Sequence, residues 1–363
     1  MTVVVNCRFL TRPVTGVERY AEGIVEALAA IRSDLVLVAP PGTPLRRAEI
    51  GGIAVRPIGS ATGHAWEQFD LRRFLRREGN PALLSLANTG PARYRDQVVV
   101  IHDVLHRRFP QAHSRTFRWW YRVLTPSLIR RARIVATVSQ FSKAEIADLY
   151  GRFDVIVVPN AVGVWIAGIE RRPASLTADR FFLAVGSRSL HKGLATAEDA
   201  FRRYRAHGGT AQMAVVGSSH RSFAGGGLVV SNDVHELGRV ADDELAWLYR
   251  HAQALLFPSL YEGFGLPPLE AQAAGTPVIA SDIPALREVL SASSALWFPP
   301  TDAAALSAAM LTMDADATVP DRLIAAGYDN TARFTWARSA SVLSTLLDRL
   351  ALDPPVSPAL QAE

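Results

Sequence analysis

Short, unbroken runs of valine, isoleucine and leucine alternate with helix-forming stretches, and this alternation constrains the fold of the chain more than any other feature. In the first half the runs are Val3–Val5, Leu35–Val38, Leu83–Leu86, Val98–Ile101, Ile134–Val138 and Val155–Val158. Helical patterns fall between several of them, at Val17–Ile31, Trp66–Arg77, Arg115–Arg131 and Lys143–Leu149. A strand with one wet face alternates apolar with polar residues, whereas a continuous apolar run belongs to a parallel sheet covered by helices on both faces. Strand–helix alternation of this kind predicts a doubly wound α/β domain.

Past Pro159-Asn160 the pattern restarts, after a connector that ends in Arg171-Arg172-Pro173. The second series of runs is Phe181–Val185, Met213–Val216, Ala254–Phe257, Val278–Ala280 and Leu296–Phe298. Helices fit at Ala195–Arg205, Asp243–Ala252, Pro268–Ala274 and Pro284–Leu290, with an alanine-rich one at Ala303–Met313. At roughly 150 residues per domain, 363 residues also favour two domains. Trp336–Leu350 reads as an amphipathic helix, and Pro354-Pro355 onward as a frayed tail.

Charge separates the two halves. Residues 1–160 hold 23 basic and 13 acidic residues, +10, and the remainder 16 and 21, −5, within a net +5. An anionic partner for the first half follows from that asymmetry. Of 39 basic residues only Lys143 and Lys192 are lysines, so each lysine is a candidate for a specific task. Cys7 is the single cysteine, which excludes an internal disulfide and a cysteine-based metal cluster and fits a reducing cytoplasm. The start, MTVVVNCRFL, is strand-like, and Pro159-Asn160 interrupts the longest apolar stretch, Val155–Ile169. A chain that neither crosses a membrane nor leaves by the general secretory route is expected.

The densest segment for chemistry is Phe257–Ser281, FPSLYEGFGLPPLEAQAAGTPVIAS. It runs from a strand through a glycine turn into a helix and on to another strand. Gly263 and Gly265 let the backbone approach a ligand closely, and the start of the following helix favours a phosphate. Pro267 and Pro268 suit the opening positions of that helix. Glu262 lies in the turn and Glu270 early in the helix; ligands of open α/β sheets sit beyond such strand ends. Spacing alone equally fits a tight strand–helix connection with an exposed glutamate at each end.

Glu262, seven residues and Glu270, with the Gly-Phe-Gly turn between, resemble the signature of the family-four retaining glycosyltransferases of GT-B fold. Other segments agree: Thr15–Tyr20 resembles the family's glycine-bearing loop before its first helix, and Val100–Asp103 its His-Asp strand end. Thr137–Ser139 with Phe141–Lys143, then Val157–Asn160, resemble the lead into the interdomain crossing; Phe334-Thr335-Trp336 resembles the start of the last helix. The resemblance spans roughly residues 1–350 and implies two Rossmann-like doubly wound domains facing across a cleft. These are an acceptor-binding domain at 1–165, rejoined by a returning helix at 336–352, and a donor-binding domain at 175–335.

The resemblance also implies retaining transfer of a sugar from a nucleotide-diphosphate donor, with no metal and no cofactor. Lys192 stands where the family has its phosphate lysine, and Arg188 is the second clamp, shifted by one because Ser187 follows Gly186. Glu270 would accept the ribose hydroxyls, and Glu262 would face the sugar ring and reaction centre. Phe264 and Leu266 complete the donor-side turn with Gly263 and Gly265. In the first domain Gly16 would approach the diphosphate, and His102 the donor sugar. Asp103 either orients His102 or caps the next segment. Resemblance to the mannosyltransferase-like branch of surface-polysaccharide assembly puts GDP-mannose first as donor, ahead of UDP-sugars and dTDP-rhamnose. The acceptor is a glycan or lipid-linked saccharide. Two other readings keep the fold: an inactive membrane- or partner-binding subunit, and a nucleotide-sugar epimerase.

The remaining motifs have plainer readings. Ser142-x-x-Glu145 fits a capping box. Asp314-x-Asp316 mimics an acidic metal motif but lies at a helix end without neighbouring histidine, and Gly225-Gly226-Gly227 lacks the dinucleotide spacing. Residues 107–133 mix eight arginines with five aromatic rings, which suits the surface of an anionic membrane and, equally, a helix with a core aromatic face and solvated arginines. Nucleic acid is not expected, since no nucleic-acid module is present and the second half is acidic. Together these readings predict a cytoplasmic protein, peripheral on the inner membrane face if residues 107–133 bind lipid.

Overall fold

The computed structural model describes residues 2–112, 114–217 and 233–352. Gly225–Gly227 and the Pro354-Pro355 tail lie outside the described residues. The chain divides into two compact units, residues 1–160 with the chain from Thr335, and Ala161–Phe334.

The first unit holds eight strands: β1 Val3–Asn6, β2 Leu35–Ala39, β3 Glu49–Ile50, β4 Ile53–Pro57, β5 Ala82–Ser85, β6 Gln97–Val100, β7 Ile134–Thr137 and β8 Ile156–Val157. Their order is β3-β4-β2-β1-β5-β6-β7-β8, parallel throughout except for the β3–β4 hairpin. All four residues of β1 are buried, as are those of β5 and β6, which is why their sequences show no polar alternation. Val99, Ile101, Leu128 and Val155 pack on one side, and Trp66, Leu71 and Leu75 cover Val4, Val38 and Leu83. The helix Trp336–Leu352 completes this unit. Trp336 meets Tyr20 edge-on at 5.9 Å, the Ser339 hydroxyl donates to the Pro159 carbonyl at 2.8 Å, and Arg32 pairs with Asp348 at 2.7 Å.

The second unit holds β9 Phe181–Val185, β10 Gln212–Val216, β11 Val234–Gly238, β12 Leu255–Phe257, β13 Val278–Ser281 and β14 Leu296–Phe298. They form one parallel sheet in the order β11-β10-β9-β12-β13-β14. Phe182, Ala184, Leu256, Ile279 and Phe298 of the sheet pack with Phe201, Leu306 and Met310 from helices Leu194–Ala206 and Ala303–Ala315. In each sheet the chain winds outward in both directions from a central pair, β1 and β5 in the first, β9 and β12 in the second. The loops that leave such a pair at its carboxyl ends diverge and open a crevice, the place where open α/β sheets bind ligands.

Two local expectations are corrected. Ser142 does not cap its helix: the helix is Gln140–Tyr150, capped by the Ser139 hydroxyl, which accepts from the Ser142 N–H at 3.0 Å. Ser142 donates instead to the His102 carbonyl at 2.9 Å, and Glu145 pairs with Arg108 at 2.7 Å. Gly16 is not in a loop but is the first residue of the helix Gly16–Ala29, whose capping box is formed by Thr15 and Glu18. It remains exposed there.

Candidate active site

The second unit assembles its site from the two loops that leave β9 and β12. After Val185 the chain passes Gly186–Ser189 and a tight turn at Leu190–Lys192, then enters the helix Leu194–Ala206 through Gly193. Gly193 sits at φ +64°, and a Cβ on it would lie 2.0 Å from the Pro258 carbonyl oxygen. Only glycine allows that left-handed turn with another backbone so close. The Leu260 N–H donates to the His191 carbonyl at 2.7 Å, so the loops are joined on both sides of Lys192. The result is an ion pair: Lys192 Nζ lies 2.7 Å from Glu262 Oε1, with the ammonium also 5.7 Å from the centre of the Phe257 ring. Their side chains are 20% and 11% exposed. A lysine and a glutamate 70 residues apart thus meet at the switch point of the sheet.

The turn beyond Glu262 delivers backbone rather than side chains. Phe264 and Leu266 are buried, and Phe264 packs edge-on against Phe334 at 5.5 Å. Gly265, at φ +100° and ψ 56°, caps the helix Leu266–Ala273. A Cβ there would come 2.5 Å from Leu286 Cδ2. Pro267 and Pro268 carry no N–H, so the donors at this positive helix end are those of Gly265 and Leu266. Four residues further on, Glu270 is 4% exposed and accepts from the Tyr249 hydroxyl at 3.0 Å. Tyr249 is itself fully buried on the helix Asp242–His251. Nothing in its sequence surroundings marks it, since its partner is fixed only by tertiary packing.

Arg188 is near this loop but differently engaged. Its guanidinium pairs with Glu236 at 2.5 Å and Glu198 at 3.5 Å. Burial raises the Glu198 carboxyl above its usual range, with Arg188 opposing. Asp314 accepts from Arg180 at 3.0 Å and Gln253 at 3.1 Å, and Asp316, just before the helix Thr318–Thr331, accepts the Thr318 N–H at 2.9 Å.

In the first unit His102 follows β6 and is 5% exposed. Its Nε2 donates to the Leu86 carbonyl at 2.8 Å, its ring meets Tyr20 edge-on at 4.7 Å, and its N–H donates to Asn88 Oδ1 at 2.6 Å. Burial pushes its pKa down to about 4 against the opposing Leu86 hydrogen bond, so the ring is neutral near pH 7. Asp103 Oδ1 accepts the Leu105 N–H at 2.9 Å, heading the short helix Leu105–Arg108. Asn88 holds φ +61°, a left-handed position that asparagine tolerates, and it went unmarked in the sequence although Asn-Thr-Gly is turn-forming. A cavity of about 150 Å³ opens beside these loops, lined among others by Arg12, Thr15, Glu18, Asn88, Asp103 and Tyr121.

The first unit also holds a polar cluster that sequence patterns do not reveal. Glu67 is fully buried; its Oε1 accepts from Asn6 at 2.9 Å and Thr89 at 2.8 Å, and Arg8 Nε lies 3.0 Å away. His64 Nδ1 lies 3.2 Å from the other carboxylate oxygen. Burial opposes the Glu67 charge, but Arg8, with His64 and Asn6, outweighs it and holds the carboxyl at about 2. The π-helical turn Trp66–Leu71 places Glu67 here, and no periodicity in the sequence announces such a turn.

A family model described as glycosyl transferases group 1 matches residues 169–330, and one described as glycosyltransferase family 4 matches residues 14–164. The chain is 30% identical over 239 residues to the O-antigen chain mannosyltransferase RfbU of Salmonella typhimurium, covering 63% of this chain and 64% of that protein. It is 28% identical over 263 residues to an Escherichia coli O-antigen chain mannosyltransferase B, covering 68% of each. The match thus spans about two-thirds of the length of either relative. Among solved structures, a sucrose-phosphate synthase from Thermosynechococcus elongatus superimposes with TM-score 0.76 at 20% identity, over 97% of this chain and 99% of that one. Anabaena HepE, solved with UDP and glucose, gives 0.71 at 18% identity, over 96% and 99%.

Proposed function

The chain belongs to the family-four glycosyltransferases of GT-B fold, and from that premise we propose that it moves a hexosyl group from a nucleotide-diphosphate sugar to a saccharide hydroxyl, with retention of configuration. The observation that carries the proposal is the Lys192–Glu262 pair at 2.7 Å, set at the switch point of the second sheet beside a glycine-capped helix. Breaking the bond between the anomeric carbon and the donor phosphate leaves a diphosphate whose charge must be met where it develops. Lys192 and the N–H groups of Gly265 and Leu266 supply that positive charge, so the scheme requires neither metal nor cofactor. Glu262 lies beside Lys192 and faces the sugar ring, where its carboxylate orients hydroxyls and stabilises positive charge at the anomeric carbon. Glu270, oriented by Tyr249, accepts the ribose hydroxyls.

The acceptor oxygen bonds to the anomeric carbon on the face that the diphosphate leaves, and its proton passes to the departing phosphate oxygen. A two-carboxylate glycosidase scheme would instead need a second carboxyl across the bond. His102, neutral and locked to Leu86, acts as a fixed wall with no proton to exchange at pH 7. Arg188 enters as a clamp only if the donor draws it from Glu198 and Glu236. The mannosyl choice, and GDP-mannose first, draw on relatives described as O-antigen chain mannosyltransferases. A glycan or lipid-linked saccharide of surface-polysaccharide assembly is the matching acceptor. Among the described residues no helix is long and apolar enough to cross a membrane. Assembly of that saccharide from a nucleotide sugar places the reaction in the cytoplasm.

Turnover of GDP-mannose, UDP-sugars and dTDP-rhamnose tests this, with Glu262→Ala and Lys192→Ala as controls. One donor should be consumed by the wild type and neither variant should retain more than about a hundredth of that rate. Equal turnover in both variants would remove the assignment.

A further inference from the structure

Beside the cavity of the first unit lies a second and larger depression, about 450 Å³, within the range of small-ligand sites. His106, Arg107, Arg115, Arg118, Trp119 and Arg122 line it, with two further residues. Arg115, Arg118 and Arg122 stand three and four residues apart on the helix Arg115–Arg131, so they share one face. Arg115 is also the first residue of that helix, where the backbone adds partial positive charge.

The four arginines have no carboxylate partner among the described residues, whereas the adjacent Arg108 takes both Glu145 and Asp148, each at 2.7 Å. Guanidinium groups gathered around one depression repel each other until an anion enters. Their planar forks match phosphate oxygens in pairs, a fit that a lysine cluster would lack. His106 lines both this depression and the smaller cavity, so the two adjoin. The smaller cavity is lined by hydroxyl, amide and carboxylate groups together with Arg12, a set suited to the hydroxyls of a sugar.

We propose that the depression binds the phosphate of the acceptor, a saccharide carrying a phosphate or diphosphate ester, with its sugar in the adjoining cavity. This inference rests on the glycosyltransferase reading above and specifies its acceptor. An anionic lipid surface would draw on the same arginines, but it asks for a broad apolar face to enter the interface. Of the large apolar residues on this helix only Trp119 and Val123 are prominently exposed, and the charges line a depression rather than a plane.

Calorimetric titration of inorganic pyrophosphate into the full chain tests the inference. Two saturable sites are expected in the wild type, one weakened in Lys192→Ala and the other in the double variant R118A/R122A. The double substitution should weaken its site about 20-fold, and R118K/R122K should fall between, since a lysine keeps the charge but not the fork. The arginines are exposed, so the variants should keep the wild-type circular dichroism. Unchanged pyrophosphate binding in R118A/R122A would overturn the acceptor-phosphate site, whereas unchanged binding in Lys192→Ala would overturn the donor site alone. Co-sedimentation with phosphatidylcholine vesicles, with and without phosphatidylglycerol, separates the source. If R118A/R122A loses vesicle binding yet keeps both pyrophosphate sites, the depression is a membrane contact and the inference is wrong.

Discussion

Replacing Gly265 by alanine perturbs the turn after Glu262 at the position where the backbone leaves least choice. Its φ of +100° lies where L-residues are strained, at about 1–2 kcal/mol for the left-handed conformation alone. The added methyl would meet Leu286 Cδ2 at 2.5 Å, and Leu286 is fully buried, so it must displace its neighbours. Overpacking of that kind costs about 1–3 kcal/mol. The sum, about 3 kcal/mol, should lower the melting temperature of the second unit by about 6–12 °C. If the same turn holds the diphosphate, as proposed, a shift of the backbone by about 1 Å should also reduce turnover by about 100-fold. Differential scanning calorimetry and donor turnover read the two effects separately. Truncating Leu286 to alanine removes the clash but not the strained φ, so Gly265→Ala combined with Leu286→Ala should lose less stability than the sum of the single losses, by about 1–2 kcal/mol. If Gly265→Ala melts and turns over like the wild type, the conformational argument for this glycine is refuted.

Two more predictions concern the first unit. His102 titrates at about 4 when folded and near 6.5 when unfolded, so the unfolded chain takes up the proton first as pH falls. Its stabilisation is complete above pH 6.5 and gone near pH 4; between pH 7 and pH 5 it falls by about 2 kcal/mol. His102→Asn should flatten that part of the pH–melting profile, and an unchanged slope would contradict the burial argument. Glu67→Gln leaves the 7%-exposed Arg8 without its counter-charge and should cost the unit about 3 kcal/mol by calorimetry. Arg8→Met combined with Glu67→Leu should recover most of that loss, and a double variant less stable than Glu67→Gln would refute the ion-pair account.

The long, doubly covered strands were legible because burial on both faces leaves only apolar residues, as at Phe181–Val185. What escaped notice was short, wet or interrupted. The hairpin of β3 and β4 turns on Gly51-Gly52 and its first strand has two residues, too few for any period. The edge strand β11, Val-His-Glu-Leu-Gly, is half-exposed, and the helix Thr318–Thr331 carries Pro320 and Gly327 inside it. At the proposed donor site Lys192, Glu262, Gly265 and Glu270 stand out through motif and chemistry. The partners that position them do not: Tyr249 belongs to a separate helix, and Glu198 on the following helix and Glu236 on the edge strand reach Arg188 only in the folded chain. The capping error at Ser142 has the same origin, since both serines suit an N-cap, the Ser-x-x-Glu pattern favours Ser142, and only the backbone angles select Ser139.

That Lys192 and the Gly263–Gly265 turn hold a nucleoside diphosphate is the claim on which the functional account depends. Calorimetric titration of GDP, UDP and dTDP, each beside its monophosphate, measures it with no assumption about the acceptor. One diphosphate should bind saturably, and Lys192→Ala should weaken it by about 10–100-fold, the loss of one charge-assisted hydrogen bond, with little change for the monophosphate. Absence of binding by all three diphosphates, or equal affinity in Lys192→Ala, would contradict the account.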